Sequence, residues 1–415
     1  MTSEFKLGPW LPDQIDYKSG ALEDCRNAVP TPSGYQPARK AMGTGLFIDE
    51  GAIELEGSTD LILPEDDLGS IVLEATITGR IVGVEAFYKS DGSAVVVVCT
   101  EEDLATVIND TVTVTPLGFG PISAGDVDFA QFGAGIYVTI KGEDTYYLAD
   151  IETDSLFVPS GGSPPSAVAI SRVADFLVMG NLKDVDASDA PYRLRWSKFN
   201  NPQGDWDTDI ATQSGAIDMP KDQGDITAIS GGTFGFVFQR RGISRLTYTG
   251  GGAVFALELF EKNRGCPSPR SIVRVGDTVY FISFDGFFVT EGSSVTSISQ
   301  GRIWSWIRDR VDPDQIPTIP GAADFQNRCI VWSVPRDAIL PGFDLELPGE
   351  DNFTLQLYYS WETGEWSYVV RALDWAFTSS RQSTGASDPA RGQVIAAFVN
   401  EEFAFLDGAP LEATF

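Results

Sequence analysis

The sequence offers few side chains that could perform catalysis. Histidine is absent from the 415 residues, which removes the commonest general base and the commonest metal ligand. A Ser-His-Asp or Cys-His nucleophilic site therefore cannot be built from this chain. The four cysteines lie far apart and form no Cys-x-x-Cys motif, so we interpret them as buried free thiols of a reducing compartment, although their spacing also allows one disulfide. They are Cys25, Cys99, Cys266 and Cys329.

An acidic loop is the nearest approach to a metal-binding motif. Residues 184–189 read Asp-Val-Asp-Ala-Ser-Asp, which resembles a calcium-binding loop. An EF-hand loop needs Gly at its sixth position and Glu at its twelfth, where this chain has Asp189 and Arg195. A solvated turn is the favoured interpretation, and we predict no metal and no organic cofactor.

Carboxylates are too numerous to single out a catalytic pair. A glycosidase needs two carboxyl groups that face one sugar-binding cleft. With 59 Asp and Glu residues in the chain, almost any pairing can be imagined. We therefore predict no catalytic residue and no enzymatic activity.

Arginine and tryptophan occur together in two places, a combination that is common at protein interfaces. One group lies in the segment 193–196 and the other in the segment 304–310. We treat both as candidate interface residues, with ordinary surface ion pairing as the alternative interpretation. The residues are Arg193, Arg195, Trp196, Trp304, Trp306, Arg308 and Arg310.

The charge balance is strongly acidic, with 29 Lys and Arg against 59 Asp and Glu, a net charge of −30. Such a surface repels phosphates, which disfavours tight binding to nucleic acids or to anionic membranes. The longest aliphatic run, 94–99, is far shorter than the roughly 20 residues of a membrane span. The N-terminal residues lack the pattern of a signal peptide, so we expect synthesis in a cytoplasm.

Short apolar segments separated by polar turns recur along the chain at intervals of about 40–60 residues, which is typical of propeller blades. Because an isolated hairpin is not stable, these units must pack on one another. We predict an all-β protein, a β-propeller of six or seven blades, with tandem β-sandwiches as the alternative. The seven predicted hairpins join 84–88 to 94–99, 136–140 to 146–148, 176–179 to 192–196, 234–238 to 243–248, 279–284 to 287–289, 329–334 to 355–359 and 394–398 to 403–406.

Two segments depart from the hairpin pattern. Residues 1–45 contain several prolines that restrict the backbone, which predicts an extended N-terminal arm ahead of a propeller body over 46–415. Apolar residues at helical spacing over 301–311, followed by Pro313, predict one short inserted helix. We expect this helix to pack at a blade junction or at a subunit interface.

Three blocks of sequence resemble the tail hub, or nozzle, proteins of short-tailed bacteriophages, which are also described as packaged-DNA stabilisation proteins. One is Arg-Leu-Arg-Trp-Ser at 193–197 with Asn201-Pro202 and Asp205-Trp206. The second runs from Arg-Gly-Ile at 241–243 through 264–266 to 277–286 and the helix at 304, and the third is Gly-Pro-Trp at 8–10 with 25–27 and 34–35. These blocks are the parts that carry a resemblance which as a whole covers about two thirds of the chain.

The resemblance implies a structural subunit of the virion, made in the host cytoplasm. Such proteins form rings of six copies below the portal and the head-tail adaptor. They contact tail fibres or spikes and tail needle or tip proteins, retain the packaged DNA and pass it during ejection. Larger members carry a further β domain after the propeller, and residues 411–415 look like the start of a strand. We therefore expect that domain to be missing here or to lie beyond the given sequence.

Two other functions fit the same sequence. The first is a carbohydrate-active propeller enzyme such as a tail depolymerase, which requires two convergent carboxylates in a cleft. The second is a cellular propeller scaffold that binds other proteins on one face.

The net charge generates a first prediction. If the subunits form a ring, we expect its lumen to be net negative, so that DNA is repelled at short range and slides through. The isolated protein should therefore not shift duplex DNA in a gel at moderate salt, while a basic DNA-binding protein in the same gel should. A clear shift by this protein would contradict the prediction.

Overall fold

The computed structural model describes residues 9–13, 22, 24–40, 42–47, 79–108, 111–123, 125–183, 188–340, 354–371, 373, 375–379, 394–399 and 402–406. Within these residues the chain forms seven four-stranded antiparallel sheets, one two-stranded hairpin and one short α-helix. The protein is all-β and its architecture is a β-propeller, as predicted. Each sheet is one blade, so the number of blades is seven.

The first three blades are meanders of consecutive strands. Blade 1 contains β4 (Ile81–Tyr88), β5 (Ala94–Thr100), β6 (Asp103–Ile108) and β7 (Thr111–Pro116). Blade 2 contains β8 (Val127–Phe132), β9 (Gly135–Ile140), β10 (Tyr146–Leu148) and β11 (Val158–Pro159). Blade 3 contains β12 (Ser166–Val173), β13 (Phe176–Lys183), β14 (Asp189–Trp196) and β15 (Gly215–Asp218).

The next three blades repeat this arrangement. Blade 4 contains β16 (Ile226–Ser230), β17 (Gly235–Gln239), β18 (Ile243–Tyr248) and β19 (Phe255–Glu261). Blade 5 contains β20 (Val273–Val275), β21 (Thr278–Ser283), β22 (Gly286–Thr290) and β23 (Val295–Ser297). Blade 6 contains β24 (Gly321–Asp324), β25 (Cys329–Pro335), β26 (Thr354–Ser360) and β27 (Trp366–Arg371).

Blade 7 closes the propeller with strands from both ends of the chain. It contains β28 (Trp375–Ser379), β29 (Val394–Val399), β30 (Glu402–Phe405) and β3 (Met42–Phe47). β3 pairs antiparallel with β30, with Met42 opposite Phe405 and Gly43 opposite Ala404. The predicted boundary between arm and body at residue 45 falls inside β3, so the last residues assigned to the arm belong to a strand of blade 7.

All seven predicted hairpins are present, each as two adjacent antiparallel strands of one blade. Turn chemistry explains the clearest case, since Gly286 of the Asp-Gly turn has φ +146°, a conformation that side chains disfavour. The alternative of tandem β-sandwiches is wrong. Apolar clusters join each sheet to its sequence neighbours around a ring, and the sheets are not stacked in two layers.

The meander topology gives the propeller two distinct faces. Successive strands of a blade are antiparallel, so their connections alternate between the two ends of the strands. We call the end with the first-to-second and third-to-fourth connections face A. Face B carries the second-to-third connections and the links from one blade to the next.

The predicted helix exists but is shorter than predicted. α1 spans Trp304–Arg308, on the face B link between blades 5 and 6. Ile303 and Ile307 are buried in a cluster with residues of both blades, so the helix packs at a blade junction. No helix among the described residues has the length and apolarity to cross a membrane.

The described part of the N-terminal arm is folded onto this junction. Its strands β1 (Ala28–Thr31) and β2 (Gly34–Pro37) form a hairpin, and Asn27 N donates to Tyr368 O of β27 at 2.7 Å. Trp10 packs against Trp306 at 5.1 Å between ring centroids. The Asp13 carboxylate accepts hydrogen bonds from the first two free amides of α1, which stabilises the start of the helix.

The docking of the arm generates a second prediction. Trp306 contacts both Trp10 and Tyr368, which also contact each other, and the Arg310 guanidinium lies 4.4 Å from the Trp306 ring. Trp306→Ala should lower the free energy of unfolding by about 2 kcal/mol and expose the arm to proteolysis, because the arm loses its main apolar contact. The control is Arg308→Ala on the exposed side of the same helix, which should change stability by less than about 0.5 kcal/mol. Equal stability of the two variants would contradict the assignment.

Candidate functional site

The central channel is a cavity formed by the described residues. It is lined by the first strand of every blade, because these strands stand side by side around the axis. Its volume is about 490 Å³, which is room for a group of water molecules. The channel can hold water or a small solute, and it is too narrow for a DNA duplex.

Three charged side chains meet in this channel. Glu85 comes from the middle of β4, Asp128 from the start of β8, and Arg270 from the link that leads into β20. The Asp128 carboxylate accepts from Ile170 N at 2.9 Å and from Phe129 N at 3.0 Å. One of these bonds crosses from blade 2 to blade 3, so Asp128 joins two blades.

Arg270 reaches across the channel and contacts blades on its far side. Its Nη2 donates to Val127 O of blade 2 at 3.1 Å, and its guanidinium lies 5.4 Å from the Trp375 ring of blade 7. A Cβ at Gly83 of blade 1 would lie 2.9 Å from the same Nη2, so Arg270 also packs closely against blade 1. Arg270 thus narrows the face B end of the channel and ties blade 5 to three other blades.

The surroundings raise the pKa values of both channel carboxylates, Glu85 and Asp128. Desolvation, followed by the charge of Asp128, raises the pKa of Glu85 to about 8, and Arg270 opposes the shift. Desolvation raises the pKa of Asp128 to about 6, opposed by its backbone hydrogen bonds and by Arg270. Glu85 lines the channel and its side chain remains exposed to solvent there.

The channel does not resemble a glycosidase centre. Both oxygens of Asp128 accept backbone amides, which leaves this carboxylate poorly placed as a nucleophile or base. The Tyr88 hydroxyl is buried without a hydrogen-bond partner among the described residues, and burial raises its pKa. The arrangement favours a structural role, in which opposite charges that line the channel compensate one another between blades.

The first group of predicted interface residues supports the subunit's own fold. Arg195 is 7% exposed and its Nε donates to Trp206 O at 2.9 Å, while Trp196 is 6% exposed and donates to Gln213 O at 2.8 Å. Arg193 pairs with Asp218 across two strands of blade 3. Arg195 and Trp196 therefore offer little surface to a partner, because they anchor the long loop between β14 and β15.

The second group lies elsewhere, at the junction of blades 5 and 6. Trp304 and Trp306 are half-buried against the blade cluster, and Arg310 lies over Trp306. Arg308 is exposed and pairs weakly with its neighbour Asp309 at 3.6 Å. The two groups belong to different apolar clusters, so the fold does not bring them together.

Two of the sequence blocks that resemble tail hub proteins, 201–206 and 264–266, make packing contacts inside the subunit. Trp206 Nε1 donates to Pro202 O, so the segment 201–206 folds back on itself beside β14. A Cβ at Gly265 would lie 1.9 Å from Gln239 O, and Cys266 N donates to that same oxygen at 3.2 Å. Backbone contact between blades at this point requires glycine.

The remaining candidates from the sequence are the four cysteines and the acidic loop. All four cysteines are free and buried, and burial raises the pKa of Cys99 and of Cys266 to about 12, which makes these thiols unreactive. Residues 184–187 of the acidic loop lie outside the described residues. No group of three or more Cys, Asp or Glu side chains in the described part of the chain is arranged to hold a metal ion.

Sequence reasoning missed the charged residues of the channel. The available signal was a single charge inside an otherwise apolar strand, as at Glu85 in β4 and Asp128 in β8. Such a charge is expected to face solvent, and only the ring of blades turns that solvent face into a channel. Arg270 gave no local signal at all.

Comparison with known proteins leaves the family open. No protein-family model matches the sequence, and no curated protein matches it. Solved structures similar to this chain include the C-terminal WD40 domain of Sif2, with 11% identity, TM-score 0.40 and coverage of 79% of this chain and 82% of that one. The Neurospora crassa Pan2 WD40 domain has 6% identity and TM-score 0.44, with coverage of 80% and 90%.

A third similar structure is the extracellular domain of a hybrid two-component system from B. thetaiotaomicron, with 10% identity and TM-score 0.42. The match covers 80% of this chain and spans 39% of that protein. These likenesses concern the fold alone.

The channel generates a third prediction. Glu85 keeps its proton to a higher pH in the folded than in the unfolded protein, so its contribution to stability falls as pH rises from about 5 to about 8. Glu85→Gln should remove the part of the pH dependence of stability that Glu85 contributes. The variant's melting temperature should therefore exceed that of wild type by more at pH 8.5 than at pH 5. Glu102→Gln, in an exposed turn of the same blade, is the control and should leave the slope unchanged. An identical pH profile for wild type and Glu85→Gln would refute the assignment.

Proposed function

We propose that this protein is a structural, non-catalytic subunit of a bacteriophage tail. In this proposal it forms the hub or nozzle ring, six copies around a lumen, below the portal and the head-tail adaptor. It retains the packaged DNA and lets it pass during ejection. The observation that carries the proposal is that segments resembling tail hub proteins form the packing contacts of the fold.

The N-terminal block illustrates this point. Trp10 N donates to the Tyr35 hydroxyl at 3.2 Å, and that hydroxyl donates to Trp366 O at 3.1 Å. Residues far apart in sequence but shared with the resemblance thus build one joint between the arm and blade 6. A protein selected for assembly needs such joints, whereas a catalytic site needs reactive groups in a cleft.

Charge and cavity size support a path for DNA outside the single propeller. The channel of one subunit is closed to a duplex by its volume and by Arg270. A lumen between subunits is the remaining route, and the net charge of −30 favours a surface that repels DNA. The proposed partners are further copies of this chain, the adaptor, tail fibres or spikes, and needle or tip proteins.

The other two functions make different demands. A carbohydrate-active enzyme needs two free carboxylates in an open cleft, and Asp128 is occupied by backbone amides. A cellular scaffold needs only an exposed face, which every propeller has, so no particular contact in this chain favours it.

The function generates a fourth prediction, which is genetic and physical. Phage that lack this gene should package DNA but release it from unfinished particles, leaving empty heads by electron microscopy, and the wild-type gene supplied in trans should restore filled heads. Mass spectrometry should find the chain in purified tails. Filled, infectious particles without the protein would refute the proposed function, and cleavage of a polysaccharide panel would favour the enzyme.

A further inference from the structure

Two surfaces of opposite charge lie on opposite faces of the propeller, and each exposes at least one large apolar side chain to solvent. The first, the acidic knob, consists of Phe199, Asp207, Asp209 and Ile210 in the loop between β14 and β15. Ile210 is 79% exposed and Phe199 is 47% exposed. Large apolar side chains at such exposure are unfavourable in water and mark interaction sites when they cluster.

The knob is held in a fixed shape, as a docking element must be. The Asp209 carboxylate accepts from Ala211 N at 2.9 Å, and Asp209 N donates to Ser214 O at 3.1 Å. Phe199 N donates to Thr212 O at 3.0 Å, which ties Phe199 to the segment that follows Ile210. An ordered loop that presents an isoleucine to water loses no further entropy on binding a partner.

The charges of the knob are uncompensated. Asp205 pairs with Lys198, and Asp218 with Arg193. Asp207 and Asp209 are exposed and make no ion pair among the described residues. The apolar tip is therefore surrounded by negative charge, which favours a partner surface with positive charge.

The second surface, the basic patch, consists of Arg240, Arg241, Lys262 and Phe284. It lies on face B, where the β17–β18 turn, the link from blade 4 to blade 5 and the β21–β22 turn come together. Phe284 is 59% exposed, and the three cations are exposed without an ion pair in the described part of the chain.

Backbone contacts show that the members of the patch are neighbours. Cys266 N donates to Gln239 O at 3.2 Å, which places the segment after Lys262 beside the Arg240-Arg241 turn. Arg264 Nε donates to the Asp285 carboxylate at 2.9 Å, which places the same segment beside Phe284. Three acidic residues, at 222, 225 and 261, lie near the patch in sequence. With Lys221 the cations number four, so positive charge is in excess by one.

We propose that the acidic knob of one copy of this chain docks on the basic patch of a second copy. The contact buries Ile210 and Phe199 against Phe284 and pairs Asp207 and Asp209 with Arg240 and Arg241. In a chain with net charge −30, an unpaired cationic surface is the natural partner for an unpaired anionic one.

The location of the two surfaces dictates the kind of assembly. The knob is on face A at blade 3 and the patch is on face B at blades 4 and 5, so one contact uses two different surfaces. Such a head-to-tail contact leaves a free knob and a free patch at the ends, and it builds a ring where the rotation between successive copies closes and an open filament where it does not. This inference rests on the proposed ring and names the contact that builds it.

The test uses two variants of the full-length protein and their mixture. Ile210→Glu disables the knob, and Arg240→Glu with Arg241→Glu disables the patch. All three positions are exposed, so folding should be unaffected. Analytical ultracentrifugation should show oligomers for wild type and at least about tenfold weaker association for either variant alone.

Mixing the variants gives the decisive measurement. The Ile210→Glu variant keeps the basic patch, and the Arg240→Glu, Arg241→Glu variant keeps the acidic knob. One intact contact can therefore form between them, so a 1:1 dimer should form and should not grow further. Leu156→Glu, at another exposed apolar residue, is the matched control and should associate like wild type. Association should also weaken between about 0.1 and about 1 M salt, because the Debye length falls from about 10 to about 3 Å.

Several results would overturn the contact. The contact would be overturned if both variants formed the same oligomers as wild type, or if their mixture stayed monomeric. A wild-type protein that is monomeric at all concentrations would also overturn it. A knob variant that forms normal rings but fails to enter tails would assign the knob to another tail protein and also overturn the proposal. The proposed function is judged separately, by the phenotype of phage that lack the gene.

Discussion

The pairing of β3 with β30 is the contact on which the rest of the structure depends. Each blade is an antiparallel sheet with two apolar faces, and both faces must be covered by a neighbour. An open row of seven blades would leave two such faces in water. Because a strand from the start of the chain completes the last blade, the row becomes a ring and every blade has two neighbours.

Closure of the ring also creates the central channel and determines which charged side chains can line it. Once the first strands of seven blades surround the axis, a charge at the middle of a strand is held among other strands. Glu85 and Asp128 remain there because Arg270 compensates their charge from the far side. The same arginine donates to Val127 O, so the channel is a joint between blades as much as a cavity.

Closure leaves the outer loops free for contacts such as the proposed one between copies. The outer loops do not contribute to the ring of blades, so they are free to carry exposed apolar and charged residues. In this chain the loop between β14 and β15 presents Ile210, and its shape is held by Trp196 and Tyr248. A rigid propeller with such loops suits a repeating contact between copies better than it suits a catalytic cleft.

Local physics determined much of the fold from the sequence alone. Alternating apolar residues and turns such as Asp285-Gly286 predict hairpins because strand and turn preferences act within a few residues. The absence of histidine limited the chemistry, and the apolar spacing around Trp304 located the helix. The seven blades, the closing role of β3 and the reach of Arg270 were decided only by the tertiary structure. Each of these depends on contacts between residues far apart in the chain, 143 positions in the case of Arg270 and Val127, and such contacts leave no periodic mark in the sequence.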